Sequence, residues 1–243
     1  MSSRSTRRCS PLTRAYSVHS INIFAKQNGG ISMKKTIILN ASPRKNWNTA
    51  QILKSAMEGA KSVGAEVKYI DLYDLNFTGC RSCMACKRKD TERCRCYFKD
   101  DLTSVISDVF TSDALLIGTP IYFGRPTSRY FALMERLHFS ALSYDDYSDY
   151  FTGKVNVGLF VTMNATKEIY EKMYQSAYEG YANEFCFLNG EVTLYPVCNT
   201  LQVNDYTKFS MGGFSEAVKK QANKECFPAD IKNAFDIGAK LSR

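Results

Sequence analysis

The stretch Thr36-Ile37-Ile38-Leu39-Asn40-Ala41-Ser42-Pro43-Arg44-Lys45-Asn46-Trp47-Asn48-Thr49 decides the fold. It opens as a short apolar, β-branched run and breaks at Asn-Ala-Ser-Pro. Beyond the break, Ile52, Leu53, Ala56, Met57 and Ala60 recur at three- and four-residue spacing, which predicts a helix over 48–63. The same switch of period repeats along the chain. Val67-Lys68-Tyr69-Ile70 reads as a second strand, Asp101–Phe110 as a second helix, and Ala114-Leu115-Leu116-Ile117-Gly118 as a third strand. That third run has no polar alternation, as expected of a strand covered on both faces in a parallel sheet. A helix at 126–138, a strand at 155–161, a helix at 167–186 and a strand at 191–195 follow. A terminal helix falls near 214–222 or 228–241. Five strands alternating with helices predict a single α/β domain, a doubly wound parallel sheet with helices on both faces.

Composition agrees with that reading. The chain has 243 residues, 44% hydrophobic and 23% charged, values inside the globular range. No apolar run approaches the roughly 18 residues needed to cross a bilayer, so no membrane role is expected. The formal charge of +8 is concentrated: residues 1–33 and 80–99 each carry +5, which leaves the remainder at −2. A nucleic-acid protein spreads basic residues over a face, so no nucleic-acid partner is expected. Residues 1–32 are rich in Ser and Arg and lack acids, the composition of an organellar transit peptide. Met33-Lys34-Lys35, however, directly precedes the first strand. The expectation is therefore a disordered or spurious extension over 1–32, then one domain over 33–243 with a Cys-rich loop at 80–96, in the cytoplasm.

In doubly wound sheets, ligands sit beyond the carboxyl ends of the strands. The loop after the first strand carries Ser42, Arg44, Asn48 and Thr49 and opens onto a helix N-terminus, a seat for a single terminal phosphate such as that of FMN. It has neither the dinucleotide fingerprint nor the Walker glycines; an ordinary helix capped by Asn48 or Thr49 is the alternative. The loop after the third strand, Thr119-Pro120-Ile121-Tyr122-Phe123-Gly124, offers backbone amides and flat side chains suited to an isoalloxazine. Thr162-Met163-Asn164 follows the fourth strand and is again small and polar.

Together with the cysteines between them, Ser42-Pro43-Arg44 … Asn48-Thr49 and Pro120-Ile121-Tyr122-Phe123-Gly124 resemble the flavodoxin-like NAD(P)H-dependent FMN reductases, and more narrowly their iron-sulfur flavoprotein branch. Thr162-Met163-Asn164 and the Phe227-Pro228 … Ala234-Phe235 … Gly238 ending are similar too, so the resemblance covers about residues 34–241. It implies strand order 2-1-3-4-5, bound FMN, NAD(P)H as co-substrate, and a homodimer or homotetramer. Trp47 departs from it, because the family often has Gly there. A position needing φ > 0 would strain a tryptophan.

Five of nine cysteines fall in one stretch: Cys80-x2-Cys83-x2-Cys86, then Cys94-x-Cys96. Cys9, Cys186, Cys198 and Cys226 are scattered. Two successive x2 steps let three thiolates converge, and an iron–sulfur cluster takes four. Cys94 gives an x7 spacing, within that of the resembling iron-sulfur flavoproteins, and Cys96 gives x9. Three states stay open: a [4Fe–4S] cluster, structural zinc with four of the five thiolates, and unmetallated thiols. The surrounding basic residues suit a thiolate-rich centre, the 2′-phosphate of NADPH or an acidic partner.

The two histidines, His19 and His138, form no acid–base set, so no catalytic side chain is expected and a flavin would carry the chemistry. Tyr144, Tyr147 and Tyr150 punctuate an acidic insert, read as a flap over the flavin, a subunit contact or a solvated loop. The expected function is an FMN-dependent NAD(P)H oxidoreductase passing electrons to a small acceptor such as a quinone or flavin, through a [4Fe–4S] cluster if one is bound. The alternatives are an electron carrier between redox proteins and a zinc-stabilised binding module.

Overall fold

The computed structural model describes residues 33–243; the expected extension at 1–32, with Cys9 and His19, lies outside the described residues. Five strands form the sheet: β1 (Lys35–Asn40), β2 (Glu66–Asp71), β3 (Ala114–Pro120), β4 (Val155–Thr162) and β5 (Asn189–Val197). Their order is β2-β1-β3-β4-β5, with every neighbouring pair parallel. This is the flavodoxin-like order expected from the sequence. The order reverses between β1 and β3, so the crevice beyond Asn40 and Pro120 is the topological switch point.

The helices are α1 (Asn48–Ser62), α2 (Leu102–Phe110), α3 (Ser128–Ala141), α4 (Lys167–Ile169), α5 (Gln175–Asn183), α6 (Glu216–Glu225) and α7 (Phe227–Leu241). Alternate residues of the sheet face opposite layers. Ile38, Leu116 and Phe160 pack under Ile52, Leu53 and Ala56 of α1 and Ala234 and Leu241 of α7. Ile37, Leu39, Leu115 and Ile117 face the other layer, with Val105 and Val109 of α2, Leu133 and Leu137 of α3, and Tyr178 of α5. Ala114 to Ile117 are fully buried, which is why β3 shows no polar alternation.

Two expectations need correction. The helix foreseen at 167–186 is interrupted by a π-helical segment at Tyr170–Tyr174, which buries Tyr170, and it continues as α5 to Asn183. The terminal helix foreseen at one of two places is two helices. Ser215 caps α6 through its side chain, and Pro228 occupies the first turn of α7.

Candidate functional site

The loops after β1, β3 and β4 meet at the carboxyl edge of the sheet. Their nearest link is a buried hydroxyl pair, Thr49 Oγ1 to Thr162 Oγ1 at 2.7 Å, joining the first turn of α1 to the end of β4. The first loop is set by its own polar groups. Asn40 Oδ1 accepts from the Ser42 amide at 3.0 Å, and Ser42 Oγ accepts from the Arg44 amide at 3.1 Å. The residue before α1 is Trp47, at φ −104, so this position requires no left-handed backbone and the tryptophan is unstrained. Among the described residues no side chain caps α1, and no acid lies in its first turn. The alternative of a helix capped by Asn48 or Thr49 is therefore corrected: the helix end keeps its unpaired amides and positive end free for an anion.

Some foreseen donors are committed elsewhere. Asn48 Nδ2 and Trp47 Nε1 both donate to the Leu201 carbonyl, at 2.8 and 3.1 Å. Arg44 Nη1 donates to the Gln202 carbonyl at 2.5 Å, and the guanidinium lies 5.5 Å from the Trp47 ring centre. Asn48 and Thr49 thus brace the loop with their side chains. The Ser42 hydroxyl as a donor, the remaining nitrogens of Arg44 and the first amides of α1 have no such commitment among the described residues.

The loop after β3 is a tight turn. Tyr122 and Arg125 exchange both backbone hydrogen bonds, and Phe123 and Gly124 at the apex have φ of 51 and 78. Left-handed backbone at both central positions is the type I′ geometry. The Ile121 amide donates to the Thr162 carbonyl at 2.9 Å and the Tyr122 amide to Arg125, so these two amides are unavailable to a ring. Among the described residues the amides of Phe123 and Gly124 carry no such bond. Phe123 is fully exposed, and Tyr122 is partly so. Burial raises the Tyr122 phenol's pKa, and the Arg44 guanidinium draws it back.

On the β4 side, the Asn164 carbonyl and Asn199 Oδ1 both accept from Lys219 Nζ at 2.5 Å. Lys219 is buried, and burial lowers its pKa. Asn164 Oδ1 is buried without a partner among the described residues. An uncapped helix end and an orphaned acceptor on either side of the switch point match the two polar needs of FMN, a phosphate and a ring N–H. The residues present fit the cofactor.

The cysteine loop is wound on α3. Glu135 Oε2 accepts from the Cys80 amide at 3.0 Å, and the Phe139 carbonyl accepts from Cys86 Sγ at 3.9 Å. Lys87 Nζ donates to the carbonyls of Phe139 and Leu142 and lies 5.3 Å and 5.6 Å from the rings of Tyr144 and Tyr150. Lys87 is thus a bolt, and Tyr144 and Tyr150 of the 144–150 insert lie against the cysteine loop. Cys80, Cys83, Cys86 and Cys96 line one narrow cleft. Burial raises the Cys86 thiol's pKa; Lys87 lowers it, and Cys96, Cys80 and Cys83 raise it further. Cys94 has left-handed backbone, φ 55, and lines a neighbouring groove with Arg93 and Arg95, which Cys96 lines as well. The Cys94 thiol is pushed up to about 11 by burial, with Asp149 adding to the rise.

No three Cys, His, Asp or Glu side chains among the described residues close on a single ion. Thiolates around one zinc must approach to about 3.8 Å of each other, given Zn–S bonds near 2.3 Å. A cluster spreads its thiolates over four irons. Cys80, Cys83, Cys86 and Cys96 around one cleft are a soft donor set of the kind that either a cluster or zinc takes.

His138 is half-buried: its ring lies 4.7 Å from that of Phe187, and Nε2 is buried without a partner among the described residues. The sequence reading missed the carbonyls at 201–202, Lys219, Glu135 and Arg136. Arg136 alone had a signal, a charge placed one turn from both Leu133 and Ser140 on the buried side of α3.

The doubly wound fold in the order β2-β1-β3-β4-β5, with an uncapped helix end at its switch point, defines an α/β protein of the flavodoxin type. The family model for NADPH-dependent FMN reductase matches residues 34–178, more than half of the chain. The chain belongs to the NADPH-dependent FMN reductase family. An iron-sulfur flavoprotein of Archaeoglobus fulgidus is 36% identical over 102 residues, which is 42% of this chain and 48% of that protein. One of Methanocaldococcus jannaschii is 29% identical over 102 residues, covering 42% and 51%. The match thus spans about half the length of these curated relatives. Among solved structures, an NAD(P)H:quinone oxidoreductase from Methanothermobacter marburgensis superposes with TM-score 0.61 at 14% identity, covering 87% of this chain and 98% of that one. An azoreductase from Bacillus anthracis gives TM-score 0.58 at 12% identity, covering 86% and 100%. At these identities the likeness is one of fold.

Proposed function

We propose that the chain is an FMN-dependent NAD(P)H oxidoreductase that delivers electrons to a small acceptor, a quinone or a flavin, by way of an iron–sulfur centre in the cysteine loop. The observation that carries the flavin reading is the uncapped, acid-free N-terminus of α1 at the switch point, beside Ser42 and Arg44. FMN, when bound, supplies hydride acceptance from the nicotinamide and release of electrons one at a time. The chain's part is to bind and orient. The α1 amides, Ser42 and Arg44 hold the phosphate, and Asn48 and Thr49 keep that loop closed. Pro120 and Ile121 set the wall of the ring site, the turn at Tyr122, Phe123 and Gly124 offers free amides and aromatic faces, and Thr162 and Asn164 close the far side. No side chain need move a proton. Cys80, Cys83 and Cys86, with Cys94 or Cys96, hold the cluster on the scaffold of α3.

The same chemistry favours an oligomer, since Phe123, Ile169 and Met173 are exposed apolar side chains that a second copy would cover. The reading is tested by titrating the purified chain with FMN and following quenching of flavin fluorescence. One FMN per chain is expected, with affinity about tenfold weaker in S42A and R44A, a loss of about 1.4 kcal/mol each. Unquenched fluorescence up to high protein concentration would refute it. A second reading, an electron carrier between proteins, is favoured by the exposure of Cys83 and Met84 at the cluster loop. Steady-state NAD(P)H oxidation with a quinone acceptor separates the two, since a carrier turns over little without a reductase.

A further inference from the structure

One buried charge behind the β4 loop has no part in the reading above. Lys219 lies on α6 and is 6% exposed. Its ammonium donates to the Asn164 carbonyl and to Asn199 Oδ1, each at 2.5 Å. Those two residues stand in the loops that leave β4 and β5, which are laced together already. The Asn199 amide donates to the Ala165 carbonyl at 2.7 Å, and the Thr200 amide and hydroxyl both donate to the Met163 carbonyl at 3.0 Å. Asn199 has left-handed backbone, φ 55, a conformation that asparagine tolerates better than most residues. Lys219 thus pins both loops from a third element. What it lacks is a counter-charge. The neighbouring Lys220 pairs with Glu216, whereas among the described residues no carboxylate forms an ion pair with Lys219. Burial lowers its pKa, with no acid to raise it. A buried cation held only by neutral oxygens is costly. The same Asn164 ends in a buried side-chain oxygen without a partner among the described residues. An uncompensated charge and an unmet acceptor therefore meet at the loop proposed above to close the flavin ring site.

We infer that Lys219 is a positioning residue of the ring site: it fixes the Thr162–Asn164 loop, and its uncompensated positive charge favours reduced over oxidised flavin. The inference rests on the FMN reading above and deepens it. Its physical basis is the charge of the two flavin states. The oxidised ring is neutral, and taking up two electrons with one proton leaves it with one negative charge. A fixed cation in a buried setting attracts that charge and gains nothing from the neutral ring. The phosphate carries the same charge in both states, so its attraction to Lys219 cancels from the reduction potential. Removing the lysine's charge therefore shifts the potential downward, whereas removing a hydrogen bond alone does not.

The test is a dye-mediated redox titration of the flavin bands in the full, FMN-loaded chain, in wild type, K219R, K219Q and K219M. Circular dichroism and FMN content report the fold, and hydrogen exchange of the amides at 162–165 is followed in the FMN-free chain. In K219Q and K219M the preference for reduced over oxidised FMN is expected to fall about tenfold, a drop of about 30 mV in the two-electron midpoint. K219R keeps the charge and is expected to stay closer to wild type. Exchange at 162–165 is expected to quicken in K219M. Glutamine keeps a hydrogen-bond donor without the charge, so a wild-type midpoint in folded K219Q would overturn the electrostatic role. Unchanged exchange in K219M would overturn the positioning role. If neither neutral variant folds, the wild-type chain decides, by comparison of bound with free FMN in the same buffer. A bound midpoint above the free one is expected, and one below it would overturn the electrostatic role, because reduced FMN would then be the weaker ligand. A wild-type chain that binds no FMN would remove the flavin reading and this inference with it.

Discussion

At the scale of single residues, the site depends on polar pairs that close the switch point. The Thr49–Thr162 bond is buried, so T162V strands a hydroxyl. Denaturant unfolding of T162V should show a loss of about 1–3 kcal/mol, and T49V/T162V should recover part of it, since neither partner is then left unpaired. His138 makes a second case. Burial holds its pKa below the usual 6.5, with Asp149 pulling it back. The unfolded chain therefore takes up a proton that the native state refuses, and stability falls as pH drops below about 6.5. Between about pH 7.5 and 5.5 the thermal midpoint of wild type should fall further than that of H138F. A parallel fall in both would show that the imidazole plays no part. That Ser42, Arg44 and Thr49 stand close together was legible in the sequence, because they share one short loop between a strand and a helix. The carbonyls of Leu201 and Gln202 were not, because a backbone acceptor more than 150 residues away leaves no mark on local composition.

At the scale of elements, close approach decides the packing of the outer layer. A methyl group on Gly238 would stand 2.0 Å from the Ala56 carbonyl oxygen, and one on Gly59 would stand 2.0 Å from that of Phe235. Only glycine lets α1 and α7 meet there. G238A should cost at least about 1–3 kcal/mol in denaturant unfolding, and because α1 opens the phosphate seat it should weaken FMN binding too. A stable, tightly FMN-binding G238A would show that the two helices are free to separate. The period of the apolar residues announced most of the elements, since each strand and helix has to cover a buried face. It did not announce the π-helical segment at Tyr170–Tyr174, where one turn is widened to bury a tyrosine while the apolar pattern continues. Nor did it reveal that α3 is the scaffold of the cysteine loop. That task is spread over Glu135, Arg136 and the Phe139 carbonyl, of which only the first two are side chains.

At the scale of the whole molecule, two sites share one sheet edge and one helix. The loops after β1, β3 and β4 meet at the carboxyl edge, and α3, which follows the β3 loop, holds the cysteine loop. Much of the cationic charge at 80–99 is internal to that loop. Lys87 is bolted to carbonyls and rings, Arg88 pairs with Asp90, Arg95 pairs with Glu92, and Arg93 lies on Tyr150. Net charge alone could not separate such structural cations from a docking surface, which is why the sequence left both open. Among the described residues no helix is long and apolar enough to cross a membrane. The account's central claim is that electrons enter at a flavin on the switch point and reach the cysteine loop. The most direct measurement is the visible spectrum of the anaerobically purified, FMN- and iron-loaded chain before and after one equivalent of NADPH. Bleaching of the flavin bands is expected, with a fall in the broader cluster absorption. An unchanged flavin spectrum on addition of NADPH and of NADH would contradict it.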